Sequence, residues 1–266
     1  MEKWIRYMAM AAALSVFLFS IAAVGKTLYR YYRDGQDYRE AEERFIRIPG
    51  EEEAAWEEGK GAMEQGGEMS PEAEKDFGET KNPPLVVDFE TLRQVNSDVV
   101  GWLYCEDTPI SYPVVRGEDN SFYLSHGYDK KKNSSGAIFV DAACSADFAD
   151  ANTILYGHHM KNGSMFACLA DWREQSFYES HPQMWLLTPE ENYRVVLFAG
   201  YTTPADSDTY TIFTGFGTEL EEYLVVCLEK SDFQADMDLL AEPGKGYVVL
   251  STCEYSFQNA RYVLHG

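Results

Sequence analysis

Basic side chains are scarce in this chain. Lys and Arg number 22 against 44 Asp and Glu in 266 residues, a formal net charge of −22. A surface of that sign repels anionic polymers, which argues against non-specific nucleic-acid binding. The one dense basic run is Lys130-Lys131-Lys132, and a solvated loop accounts for it. Cysteine is sparse too, with five residues at 105, 144, 168, 227 and 253 and no CxxC or CxxH spacing. That pattern argues against a structural zinc site. The odd count leaves at least one thiol free, while disulfides among the other four stay open. No carboxylate cluster has calcium-ligand spacing, and no internal repeat is present. Neither a metal nor a cofactor is expected.

Long apolar runs are missing except for one. Tyr7 to Gly25 is uncharged and mostly apolar, with Leu14, Val16, Phe17, Leu18, Phe19 and Ile21. Its 19 residues are just enough to span a bilayer. Lys3 and Arg6 precede it and Lys26, Arg30 and Arg33 follow it, so the flanking charges do not set an orientation. A cleaved signal peptide is the competing reading, since Ala22-Ala23-Val24-Gly25 offers small residues. The stretch is long for the apolar part of a signal peptide, so residues 1–33 are expected to be an uncleaved anchor.

Residues 34–84 have little aliphatic content. Between 34 and 82, acidic residues number 16 and basic ones 6. Tyr38 to Ile48 can continue as a charged helix, and the rest reads as a flexible spacer closed by Pro83-Pro84. From Leu85 the composition changes. Asp88 is placed to cap a short helix beginning at Phe89. Strands are expected at 99–104, 110–115, 137–140, 153–156, 184–187, 193–201, 247–250 and 262–264. Asp119 to Leu124 reads as a capped helical turn, and helices fit 165–172 and 218–227. Short strands with frequent turn signals point to a mainly β fold, a barrel or sandwich with helical insertions.

The chemistry gathers near the end of the chain. Tyr247 to Leu250 leads into Ser251-Thr252-Cys253, and Arg261 precedes a second apolar run. Fully extended, the eight positions between Cys253 and Arg261 would span roughly 26 Å. If the two runs pair as strands, the loop returns the guanidinium to the thiol. A nearby positive charge favours thiolate, the nucleophilic form. Such a site wants a histidine, and five are available. His158 and His159 close the apolar strand 153–156, where functional side chains concentrate. His126, His181 and His265 have no such position. Adjacent strand residues face opposite ways, so only one of the pair 158/159 can serve.

These residues carry a resemblance. Tyr156-Gly157-His158-His159-Met160 with Met165-Phe166 resembles the histidine motif of class B sortases. Leu250-Ser251-Thr252-Cys253 with Arg261 resembles their cysteine and arginine motifs. Asn96 to Leu103, Tyr112-Pro113-Val114 and Asp119 to Leu124 are further matches, in the family's order. The likeness covers 85–266; the anchor and spacer match only in layout.

The resemblance implies a membrane-anchored cysteine transpeptidase of the Gram-positive cell surface, built on an eight-stranded β-barrel. Cys253 would attack the carbonyl after the threonine of a surface protein's five-residue sorting signal. His158 would protonate the leaving amine and later deprotonate the incoming one. Arg261 would hold the substrate and its oxyanion rather than chiefly tune the thiol. An amino group of a peptidoglycan precursor or cross-bridge would resolve the thioester. Asn120, Leu124, Tyr156, Ser251, Thr252 and Glu254 match positions lining the substrate groove. Core packing accounts equally well for Leu124 and Tyr156, and Glu254 is placed to orient Arg261, bind substrate or merely be solvated.

Three other readings compete. An L,D-transpeptidase would want Ser-His-Gly-Cys, but Ser125-His126-Gly127 is followed by Tyr128. A papain-like protease would want an early cysteine on a helix, and Cys253 is late and follows a strand. An inactive membrane-anchored binding module is opposed only by the intact Cys253, His158 and Arg261.

Overall fold

The computed structural model describes residues 2–49, 83–236 and 246–266. Of the spacer expected over 34–84, residues 50–82 lie outside the described residues. The first element is one long helix, α1 (Glu2–Phe45). Its Leu14, Phe17, Phe19 and Ile21 are exposed, and it is long and apolar enough to cross a membrane. Its last third behaves differently: Asp34, Tyr38, Ala41 and Phe45 recur every three or four residues and are buried. A two-residue ladder follows, β1 (Ile46–Arg47) with β2 (Val86–Val87). Then comes α2 (Phe89–Val95), capped as expected by the Asp88 carboxylate, which accepts from the Thr91 amide.

Nine strands form one mixed sheet. In chain order they are β3 (Val99–Tyr104), β4 (Ser111–Arg116), β5 (Ile138–Val140), β6 (Asn152–Tyr156) and β7 (Gln183–Leu187). After these come β8 (Asn192–Val196), β9 (Ala199–Pro204), β10 (Tyr247–Cys253) and β11 (Ala260–His265). Their spatial order is β8-β7-β3-β4-β5-β6-β10-β11-β9. The pairs β4–β5 and β6–β10 are parallel and the rest antiparallel. The run expected as a single strand over 193–201 is split into β8 and β9, which accounts for nine strands rather than eight. At the break Leu197 N donates to Pro182 O and Phe198 N donates to His265 O. The chain thus leaves one sheet edge and joins the other within two residues, curling the sheet into a partly closed barrel.

Both faces of the sheet are covered, so its strands read as apolar runs rather than alternations. The inner face carries Leu103, Val114, Ile138, Leu155, Met184, Leu250, Tyr262 and Leu264. Phe166, just before the 3₁₀ segment Ala167–Arg173, Trp172 within it and Tyr178 of α3 (Gln175–Ser180) plug it. The 3₁₀ segment stands where a helix was expected over 165–172. The outer face is covered in two patches. Trp102, Val115, Phe139 and Trp185 lie beneath Ala41 and Phe45 of α1 and Leu92 of α2. Ile154, Tyr201, Val249 and Val263 lie beneath Cys227 of α4 (Thr218–Lys230). Tyr156, at the end of β6, packs against both patches.

Candidate active site

Cys253 and Arg261 are register partners across β10 and β11. The loop between them turns back at Asn259, whose φ of 62° reverses the chain. Alternation decides which side chains share a face. Val249 and Val263 belong to the outer face, so Ser251, Cys253 and Arg261, two and four positions away, face outward as well. Leu250 and Tyr262 belong to the inner face, and Thr252 goes with them. Thr252 is buried, and its hydroxyl has no partner among the described residues.

The histidine reaches the same place from β6. That strand runs parallel to β10, with Tyr156 level with Ser251. Gly157 N donates to Ser251 O at 3.1 Å, prolonging the pairing. Two residues beyond these partners come His158, past the end of β6, and Cys253, the last residue of β10. Gly157 points inward, where a Cβ would meet Ile138 and Phe166 at 2.6 and 2.7 Å. His158 therefore turns outward with Cys253. Its Nε2 is 2.7 Å from the Leu124 carbonyl oxygen, which can only accept. Nε2 thus carries the hydrogen, and in the neutral ring Nδ1 keeps the lone pair. His159 plays a different part. Its Nδ1 donates to the Cys253 carbonyl at 3.0 Å, and its ring meets Tyr255 edge-on.

The other groove candidates fall into four groups. Asn120 and Tyr156 are held together by Asp141, whose Oδ2 accepts from Asn120 Nδ2 and from the Tyr156 hydroxyl, each at 2.9 Å. Burial, reinforced by Asp141, pushes the Tyr156 phenol well above its ordinary pKa. Leu124 is exposed. Its carbonyl meets His158, so it is not core packing. Ser251 shares a 2.8 Å hydrogen bond with Tyr210. Glu254 does not reach Arg261. It faces Arg173 at 3.4 Å and accepts from the amide and hydroxyl of Ser256. Burial pushes its carboxyl up, but the Ser256 bonds and Arg173 outweigh that and hold it below the usual range. Arg261 Nη1 donates to the Ala260 carbonyl at 2.9 Å.

Tyr210 and Asp141 are the residues that sequence reasoning missed. Tyr210 sits on a 3₁₀ turn, Asp208–Tyr210, and stacks on Tyr156 with ring centroids 6.3 Å apart. Burial raises its pKa; Arg261 pulls the other way and Cys253 adds to the rise, so its hydroxyl lies in the field of both. Nothing in the turn-rich stretch around it signals this. Asp141 had a signal: it directly follows the apolar run Ala137 to Val140, the position where polar strand ends bear function. All five cysteines are free, and all but Cys253 are buried.

No family model matches the chain. Sortase B of Listeria monocytogenes is 38% identical over 184 residues, covering 67% of this chain and 73% of that protein. The chain belongs to the sortase B family. This sortase is therefore a cysteine transpeptidase. Its fold is that of the Staphylococcus aureus sortase B–substrate complex: TM-score 0.60, 31% identity, 66% of this chain and 82% of that one. A sortase B complexed with triglycine gives 0.59 and 33%, over 66% and 83% of the two chains.

Proposed function

We propose that Cys253, His158 and Arg261 carry the transpeptidation in this sortase. The observation behind the reading is the pairing of Cys253 with Arg261 across β10 and β11, with His158 just past the end of β6, the strand parallel to β10. Cys253 Sγ adds to the carbonyl carbon after the threonine of a sorting signal. The thiol proton passes to His158 Nδ1, and negative charge collects on the carbonyl oxygen, where the Arg261 fork neutralises it. When the intermediate collapses, the C–N bond breaks, His158 protonates the leaving amine and a thioester remains. An incoming amine then loses a proton to His158 and attacks the thioester, forming the new amide and releasing Cys253 as the thiol.

Asn120, Tyr156 and Ser251 with Tyr210 would line the groove for the signal peptide, with Leu124 and Glu254 at its borders. Thr252 would support the nucleophile strand from behind. The solved sortase B complexes with a substrate and with triglycine favour a peptide donor and an amine acceptor. For this chain the acceptor would be an amine of a peptidoglycan precursor or cross-bridge, at the surface of a Gram-positive cell. Residues 1–33 would anchor the enzyme in the membrane, 34–84 would join the anchor to the catalytic domain, with 34–45 docked on that domain, and 85–266 would work outside.

The test incubates the full chain in detergent micelles with sorting-signal peptides and triglycine. Wild type should give an acyl-enzyme mass adduct and a ligated product, and Cys253→Ala neither. Equal behaviour of the two proteins would end the reading.

A further inference from the structure

The same helix that is apolar enough to cross a membrane ends against the loop behind His158. Tyr38 is buried, and its hydroxyl donates to the Gly136 carbonyl, 98 residues away in sequence. Its ring stands edge-on to Tyr112 at 5.3 Å. One turn earlier, the buried Asp34 carboxylate accepts from the Ser134 amide at 2.9 Å and from the Ser134 hydroxyl. Asn133 Nδ2 donates back to Asp34 O at 3.3 Å and to Asp37 Oδ2 at 3.1 Å. The turn 133–136 is thereby clamped by α1 at both ends.

The other side of this turn touches the histidine. Gly136 has φ +58°, and a Cβ there would lie 2.6 Å from Tyr123 O, 3.0 Å from His158 Cδ2 and 3.1 Å from Leu124 O. Leu124 O is the acceptor for His158 Nε2. Asn133 N and Ala137 N tie the turn to Ser125 O and Tyr123 O at 3.1 and 2.9 Å, on either side of Leu124. Gly136 thus fills the space between the Tyr38 hydroxyl and both the His158 ring and its acceptor. Apolar contacts such as Ala41 and Phe45 would suffice to dock a helix. Directional bonds from buried polar groups set geometry instead.

We propose that Tyr38 and Asp34 are positioning residues for His158, so that the docked end of α1 is part of the catalytic unit. The role given to His158 rests on the function proposed above. Misplacing a proton-transfer group by a fraction of an ångström to an ångström costs on the order of ten- to a hundredfold in rate, without a matching loss of substrate binding.

The experiment compares Tyr38→Phe, Asp34→Asn and Phe45→Leu in the full chain in micelles. Phe45 docks the same helix seven residues further on and is buried in the outer patch, without a bond to the turn 133–136. Four quantities are read: kcat, KM for the peptide, thermal midpoint, and the NMR signals of the His158 ring in ¹⁵N-histidine-labelled protein. Tyr38→Phe and Asp34→Asn should lower kcat roughly ten- to a hundredfold with KM within about twofold, and should shift the His158 signals. Phe45→Leu should lower the midpoint and leave kcat and those signals in place. Wild-type rates and unshifted signals in Tyr38→Phe would overturn the proposal, as would an equal rate loss in Phe45→Leu. If wild type proves inactive, the reading of function fails instead, and the ring signals still decide whether α1 positions His158.

Discussion

Cys253 and Arg261 face one another across β10 and β11, eight residues apart in sequence and adjacent in the ladder. The guanidinium offers a planar fork of donors that an ammonium cannot reproduce. Arg261→Lys should therefore lose on the order of a hundredfold or more in kcat/KM, the scale of an oxyanion donor. Its thermal midpoint should stay near wild type, because Arg261 is only half-buried. A near-normal rate would show that positive charge alone is what the site uses.

His158 and His159 are neighbours to which we assign different roles. On the proposed mechanism His158→Ala removes the proton carrier and should abolish turnover. His159→Ala removes one hydrogen bond to the Cys253 carbonyl, worth about 1 kcal/mol, so a few-fold loss is expected. Steady-state rates of the two variants decide between them, and the reverse order would exchange their roles.

Asp141 Oδ2 accepts two donors at once, while its Oδ1 accepts from the Ala143 amide at 2.8 Å. An asparagine amide cannot satisfy both sides, since one oxygen is replaced by a donor. Asp141→Asn should cost about 1–3 kcal/mol of stability and raise KM by loosening Asn120 and Tyr156. Denaturant melts and peptide titrations test this, and an unchanged KM would take Asn120 and Tyr156 out of the groove.

Burial pushes the Cys105 and Cys168 thiols up to about 12, and Cys144 and Cys227 are also raised, chiefly by burial. Thiolate is the reacting form. A methanethiosulfonate reagent at pH 8 should add once to the native chain, at Cys253, and five times after unfolding. Cys253→Ala should give no native adduct. A second rapid adduct on the native protein would mean that one of the four is accessible.

His265 is the histidine to watch in acid. It is fully buried against Phe198, Tyr201 and Tyr223. Burial, aided by Lys230, pushes its pKa from 6.5 down to about 3. Below the unfolded value the unfolded chain takes up the proton first, while the native ring resists until the folded value. Stability present above pH 6.5 is therefore lost as pH falls toward about 3, at up to about 1.4 kcal/mol per unit. His265→Phe should show a shallower loss over that window in denaturation curves at pH 7, 5.5 and 4. Parallel curves would mean that the ring is hydrated in the native state.

Residues 85–266 were legible where local rules suffice. Asp88 and Asp119 bond the amides that follow them, because an aspartate side chain reaches two or three residues along its own chain. The apolar runs became strands, because runs of branched and aromatic residues need two covered faces. The histidine, cysteine and arginine motifs stood out because each ends or begins such a run.

Pairing was beyond that reach. The run 193–201 has one composition but two partners, and only the closing of the sheet decides where it breaks. Tyr210 joins the candidate site through a stack on Tyr156 and a bond to Ser251, contacts that no spacing in sequence announces. The buried face of α1 did leave a trace, in the three- and four-residue spacing of Asp34, Tyr38, Ala41 and Phe45. The charge around it masked that trace, and its partners, 96 to 100 residues further on, could be named only in the fold. The sequence alone determined which groups could do the chemistry and which runs would be strands. The tertiary structure decided what they face, because register and docking are set by long-range contacts whose partners no local pattern encodes.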